Sequence, residues 1–125
     1  MSKKYEQVRK AVEDGKYKIL DDDDERITIR YQMNSIYICP SKEDDGFVAV
    51  LLTDFADVTA DNLSEVMMKC HRLNREMKLA KLYIAKDVIV ASAEFYYIGR
   101  RDLAHQIKMA LNCLVAAKVN YRRLE

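Results

Sequence analysis

Glycine and proline are scarce, with three and one in 125 residues, and tryptophan is missing altogether. Scattered glycines leave no material for a phosphate-cradling loop, and no Gly-rich motif is present. No stretch approaches the roughly 18 uninterrupted apolar residues that a membrane-crossing helix needs. The opening Met1-Ser2-Lys3-Lys4-Tyr5-Glu6 lacks the apolar core of a secretory signal. Neither sign of charge prevails: 21 Lys and Arg face 20 Asp and Glu, for a formal net charge of +1. That balance argues against a dedicated electrostatic binder of nucleic acid. Cys39, Cys70 and Cys113 are odd in number and far apart, and each sits in an apolar pattern. They read as reduced thiols, so the expected location is the cytoplasm.

Half of the residues are hydrophobic and a third are charged, the balance of a globular chain. The expectation is one domain over residues 1–125. Tyr5, Val8 and Val12 recur at helical spacing in a helix from Ser2 to Asp14, with Ser2 as its N-cap and Gly15 as a left-handed stop. Lys16 to Leu20 is a short strand. The acidic run Asp21 to Glu25 reads as a solvated turn, since five adjacent carboxylates repel one another. Ile27, Ile29, Tyr31 and Met33 then alternate with Arg26, Thr28, Arg30 and Gln32, the pattern of a half-buried strand. Asn34-Ser35 has turn chemistry and leads into Ile36 to Cys39. Phe47 to Leu52 is apolar almost throughout and stops at Thr53-Asp54.

Thr59 is the expected N-cap of a second helix ending near Lys78, its stripe formed by Leu63, Val66, Met67, Cys70, Leu73 and Met77. Leu79 to Ala85 and Val88 to Tyr97 form a strand pair across the turn Lys86-Asp87. A last helix runs from about Arg100 or Asp102 to the C-terminus, with Leu103, Ile107, Ala110, Leu111, Leu114 and Val115 on its apolar side. The order is α-β-β-β-β-α-β-β-α. The fold class is α+β, with a mainly antiparallel sheet covered by helices.

The stretch from Met67 to Phe95 contains Leu73-Asn74-Arg75 at the helix end, followed by a basic and aromatic turn and a strand pair. It resembles the YbjN family of bacterial sensory transduction regulators, whose members carry an Asn-x-x-Asn-like helix end at this place. His71 stands where the first Asn is often found. The resemblance implies a fold like that of the type III secretion chaperones, small α+β domains that are often homodimers and bind segments of partner proteins without catalysis. It also implies a recurring structural role for Asn74.

No constellation of residues points to catalysis. Cys70 and His71 are adjacent and diverge by about 100° on a helix. Cys39 and Cys113 could approach each other in space, but no paired ligand motif supports a metal. The expectations are therefore no catalytic residue, no metal and no cofactor. Asn74 reads as a structural cap or a bond to a neighbouring segment. The later strands carry more apolar residues than one covered face requires, so a sheet face is either doubly covered or open to a partner. Tyr83, Phe95 and Tyr97 are the expected partner-binding residues, the partner being another protein or a second copy in a homodimer. On this reading Tyr97→Asp weakens association and leaves the monomer folded. The alternative is a small nucleic-acid-binding regulatory module using Lys69, Arg72, Arg75, Lys78 and Lys81, with Arg100, Arg101, Lys108, Arg122 and Arg123 adding charge. Membrane binding is not expected.

Overall fold

The structure, a computed structural model, describes residues 2–53 and 56–124. Its elements follow the expected order: α1 (Lys3–Asp14), β1 (Lys18–Asp22), β2 (Ile27–Tyr31), β3 (Asn34–Pro40), β4 (Phe47–Leu52), α2 (Leu63–Glu76), β5 (Ala80–Ala85), β6 (Val88–Tyr96) and α3 (Arg100–Arg123). The strands form one six-stranded sheet in the order β1-β2-β3-β4-β6-β5, and every pairing is antiparallel. Asp54, part of the stop expected after β4, lies outside the described residues, as does the last residue, Glu125. No helix among the described residues is long and apolar enough to cross a membrane.

The core arises from two periodicities meeting. Along the strands, Ile27, Ile29, Ile36, Ile38, Val48, Val50, Ile89, Ala91 and Ala93 are fully buried and share one phase of the pleat. Across the ladder Ile38 stands opposite Val50, which stands opposite Ala93. On α3, Leu103, Ile107, Ala110, Leu111, Leu114, Ala117 and Tyr121 form the complementary stripe. Tyr5, Val8 and Val12 of α1, with Val66, Cys70 and Leu73 of α2, complete the same cluster. Each fully buried Val, Leu or Ile side chain contributes about 1.5–3 kcal/mol of apolar transfer.

Local chemistry moves several boundaries. Ser2 does cap α1, its Oγ accepting from the Tyr5 amide at 3.0 Å. Gly15, however, is right-handed at φ −73°, and the left-handed residue is Lys16 at φ +60°. The turn between β2 and β3 is Gln32-Met33, at φ +48° and +69°, rather than Asn34-Ser35. Positive φ at both central residues matches the type I′ geometry that follows strand twist. Asn34 is drawn into β3 instead: it pairs with Tyr31, its Nδ2 donates to the Gln32 carbonyl at 2.9 Å, and its Oδ1 accepts from Lys118 Nζ at 2.7 Å.

The acidic run divides as well. Asp21 and Asp22 end β1, and the turn proper begins at Asp23, whose carboxylate accepts from the amides of Glu25 and Arg26. Asp22 is tolerated in a strand because it faces α1, where it accepts from the Tyr5 hydroxyl at 2.6 Å and from Arg9. Burial opposes its ionisation, but the bonds from Arg9 and Tyr5 prevail and hold its carboxyl below the usual range. Thr59 lies one turn ahead of α2, which has Asn62 as its N-cap. Thr59 and Asn62 exchange bonds: the Thr59 amide donates to Asn62 Oδ1 at 2.7 Å, and the Asn62 amide donates to Thr59 Oγ1 at 3.3 Å.

Candidate functional site

The three helices place all their buried residues in the cluster on one side of the sheet. The opposite phase carries Thr28 and Arg30 of β2, Tyr37 and Cys39 of β3, Phe47, Ala49 and Leu51 of β4, Lys81 and Tyr83 of β5, and Val90, Ser92, Glu94 and Tyr96 of β6. None of these belongs to the core cluster, and Val90 stands outside it although neighbours bury it. Among the described residues no helix covers this face, and its middle is apolar. Tyr37 pairs with Leu51, Cys39 with Ala49, Phe47 with Tyr96 and Tyr83 with Val90. The Phe47 and Tyr96 rings pack with centroids 4.9 Å apart. Tyr96 is 64% exposed and Tyr83 40%.

Polar groups frame this surface. The Arg26 guanidinium lies 4.3 Å from the Tyr37 ring centre. Lys81 pairs with Glu94, which also accepts from the Ser92 hydroxyl at 3.0 Å. The bond from Lys81 outweighs desolvation and holds the Glu94 carboxyl below the usual range. Burial pushes the Cys39 thiol up, so it stays protonated at neutral pH.

Of the three expected partner residues, only Tyr83 lies on this face. Phe95 is half-buried and packs against the core from the helix side. Tyr97 is 3% exposed. Its hydroxyl reaches the Lys4 carbonyl at 3.1 Å and Gln7 Oε1 at 2.9 Å, joining α1 to the end of β6. The pleat explains the difference, because residues two apart share a face and Phe95 and Tyr97 share it with Ala91 and Ala93. Tyr96, between them, is the exposed member.

Asn74 joins α2 to the edge strand. Its Nδ2 donates to the Leu82 carbonyl at 2.9 Å, and its Oδ1 accepts from the Leu82 amide at 2.7 Å. It thereby supplies the ladder partner that an edge residue otherwise lacks. Asn74→Ala should cost about 1–3 kcal/mol, because both Leu82 groups lose their partner. Urea unfolding should read that loss, and hydrogen exchange should show the Leu82 amide losing protection while β4 amides keep theirs. Unchanged stability and protection would contradict this role.

The expected cationic cluster divides: Lys69, Arg72 and Arg75 border one groove on α2, whereas Lys81 lies on the sheet. Lys69 pairs with Glu65, Arg72 with Glu76 and Lys81 with Glu94. Cys70 is buried and His71 exposed. Cys39 faces the open side of the sheet, whereas Cys113 packs against the core from the helix side. Among the described residues no group of three or more His, Cys, Asp and Glu side chains could hold a metal ion.

The family model described as "YbjN: Putative bacterial sensory transduction regulator" matches residues 4–118. The crystal structure of YbjN from E. coli, described there as "a putative transcription regulator", superposes with a TM-score of 0.75 at 8% identity, covering 94% of this chain and 90% of that one. The Yersinia pestis type III secretion chaperone SycH, solved in complex with a stable fragment of YscM2, gives 0.65 at 11% identity, covering 94% and 98%. An uncharacterized protein from Methanothermobacter thermautotrophicus gives 0.64 at 10% identity, covering 96% and 97%. No curated protein matches by sequence. At such identities the structural likenesses show a shared fold.

Proposed function

The chain belongs to the YbjN family, and from that premise we propose that it is a non-enzymatic, protein-binding regulatory domain of the cytoplasm whose uncovered sheet face buries a segment of a partner protein. The observation that carries this reading is the one-sided covering of the sheet. It leaves Phe47, Leu51, Tyr83 and Tyr96 on the side away from all three helices. Such a surface is apolar enough to bind another chain and is framed by charge that discourages indiscriminate contact. A neighbour of the same fold, the chaperone SycH, was solved holding a fragment of another protein, which supports a peptide segment as occupant. The cysteines are free, the form that a reducing compartment maintains.

Photo-crosslinking in the native cell tests this. A benzophenone side chain placed at Tyr83 should capture a protein, whereas the same group at Lys10, exposed on α1, should not. Adding Tyr96→Asp should reduce the Tyr83 crosslink at least about tenfold, since an interface aromatic is worth more than about 1.4 kcal/mol. Equal capture from both positions, or a crosslink indifferent to Tyr96, would refute the proposal. A crosslink only to the chain itself, with a dimer that Tyr96→Asp separates, would replace the partner segment by a second copy.

A further inference from the structure

On the helix side of the molecule, away from the sheet face, α2 carries a second feature that core packing does not explain. Met67 and Met68 are adjacent and exposed, Met68 at 73%. With Leu124 they floor an open groove of about 650 Å³, bordered by His71, Arg72, Arg75 and Lys69, the last paired with Glu65. Positions 68, 71, 72 and 75 recur at helical spacing on one stripe of α2. The chain as a whole is nearly neutral, yet the described lining of this groove carries no carboxylate. Arg72 has only an exposed i,i+4 pair with Glu76, and Arg75 has no ion pair among the described residues. The helix dipole accounts for cations near the end of α2, since positive charge is favoured there. It does not account for two neighbouring methionines facing water. Flexible methionine side chains adapt to varied apolar surfaces and recur where a partner helix docks.

We propose that this groove docks an acidic amphipathic helix of another protein, its apolar ridge on Met67, Met68 and Leu124 and its carboxylates on Arg72 and Arg75. The stripe from Met67 to Arg75 rises about 12 Å along α2, which matches two to three turns of a partner helix. Charge complementarity selects the occupant. A basic amphipathic helix meets two arginines and a histidine, and an uncharged one leaves Arg75 without a partner. This surface lies across the core from the sheet face, so its occupancy is separable from the reading above.

The probe is a fluorescein-labelled synthetic helix with leucines at i, i+3, i+4 and i+7 and glutamates beside them, measured by anisotropy on the full chain. Its twin carries lysine at every glutamate. The acidic peptide should bind at least about tenfold more tightly than the twin, and half-molar salt should weaken it. Met68→Glu and Arg75→Glu should each lower affinity at least about tenfold, while Arg75→Lys should retain most of it. Both positions are exposed, so thermal unfolding should match the wild type and confirm intact folding. Equal binding of the twins, or no binding of either, would overturn the proposal. A wild-type dimer dissolved by Met68→Glu would overturn it in favour of a second copy. Tighter binding of a single-stranded oligonucleotide than of the acidic peptide, lost in Arg75→Glu, would overturn it in favour of nucleic acid.

Discussion

Tyr97→Asp should unfold the protein, or lower its melting temperature by at least about 10 °C, while Tyr96→Asp one residue away should leave melting nearly unchanged. The contrast follows from the pleat. Tyr97 is 3% exposed, Lys4 Nζ lies 4.8 Å from its ring centre, and its amide donates to the Gly46 carbonyl at 3.0 Å. Its hydroxyl reaches α1 through the Lys4 carbonyl and Gln7. Burial, and then the charge of Asp44, push that hydroxyl above the usual tyrosine range. Removing a buried aromatic ring costs about 3–5 kcal/mol. Aspartate adds a carboxylate at a desolvated site beside Asp44. Together these approach the total stability of an ordinary domain, about 5–15 kcal/mol. Tyr97→Phe separates the parts: it keeps the ring and should lose only about 1 kcal/mol with the hydroxyl bonds. The sequence-based expectation that Tyr97→Asp spares the fold is thus reversed, and the substitution that probes the surface is Tyr96→Asp. Far-ultraviolet circular dichroism on heating decides the matter. Equal melting of the two aspartate variants would show that Tyr97 is not locked under α1.

How far the sequence foretells this structure depends on which signal a segment carries. Strong periodicity places α1, α3, β4 and the β5–β6 pair within a residue or two of their bounds, because burial of one stripe decides the element. Turns defined by unusual backbone angles escape it. Gln32 and Met33 carry no turn signature, yet both adopt positive φ, because the Tyr31–Asn34 pair sets the register there. Asp22 escapes it too, since its counterion comes from Arg9 on another element. The sheet face was legible in part. In β6, Ser92 and Glu94 share a phase with Val90 and Tyr96, and those polar residues mark the side without helices. In β5, Lys81 marks Tyr83 in the same way. Phe95 and Tyr97, expected as partner-binding aromatics, have the phase of the helix side, and only Tyr96 of Phe95-Tyr96-Tyr97 faces the open side. The α2 groove needs Leu124 beside Met67 and Met68, a meeting of two helix surfaces that spacing along one helix cannot reveal.

Gly46→Ala should be the most damaging of the three glycine-to-alanine changes, costing at least about 2 kcal/mol. Two independent effects act at this position. Gly46 has φ +85°, where an L side chain is strained. A Cβ there would also come within 2.5 Å of the Tyr97 carbonyl oxygen, a backbone atom that cannot swing aside. The close approach is built into the sheet, because the Tyr97 amide donates to the Gly46 carbonyl just beyond the Phe47–Tyr96 pair. Relief would pull β4 from β6 where the Phe47 and Tyr96 rings meet, and would loosen the buried Tyr97 as well. Gly15→Ala meets the edge of the Tyr17 ring at 2.5 Å, but that side chain can rotate away. Gly99→Ala meets nothing within 4 Å and should cost only a few tenths of a kcal/mol at the start of α3. Urea unfolding of the three variants should therefore rank Gly46 far above Gly15, with Gly99 last. The Phe47 and Tyr96 ring resonances in NMR spectra should shift in the Gly46 variant alone. A Gly46→Ala protein as stable as Gly99→Ala would mean that the β4–β6 approach is looser than the hydrogen-bonded register requires, and that the aromatic pair on the open face is held by some other contact.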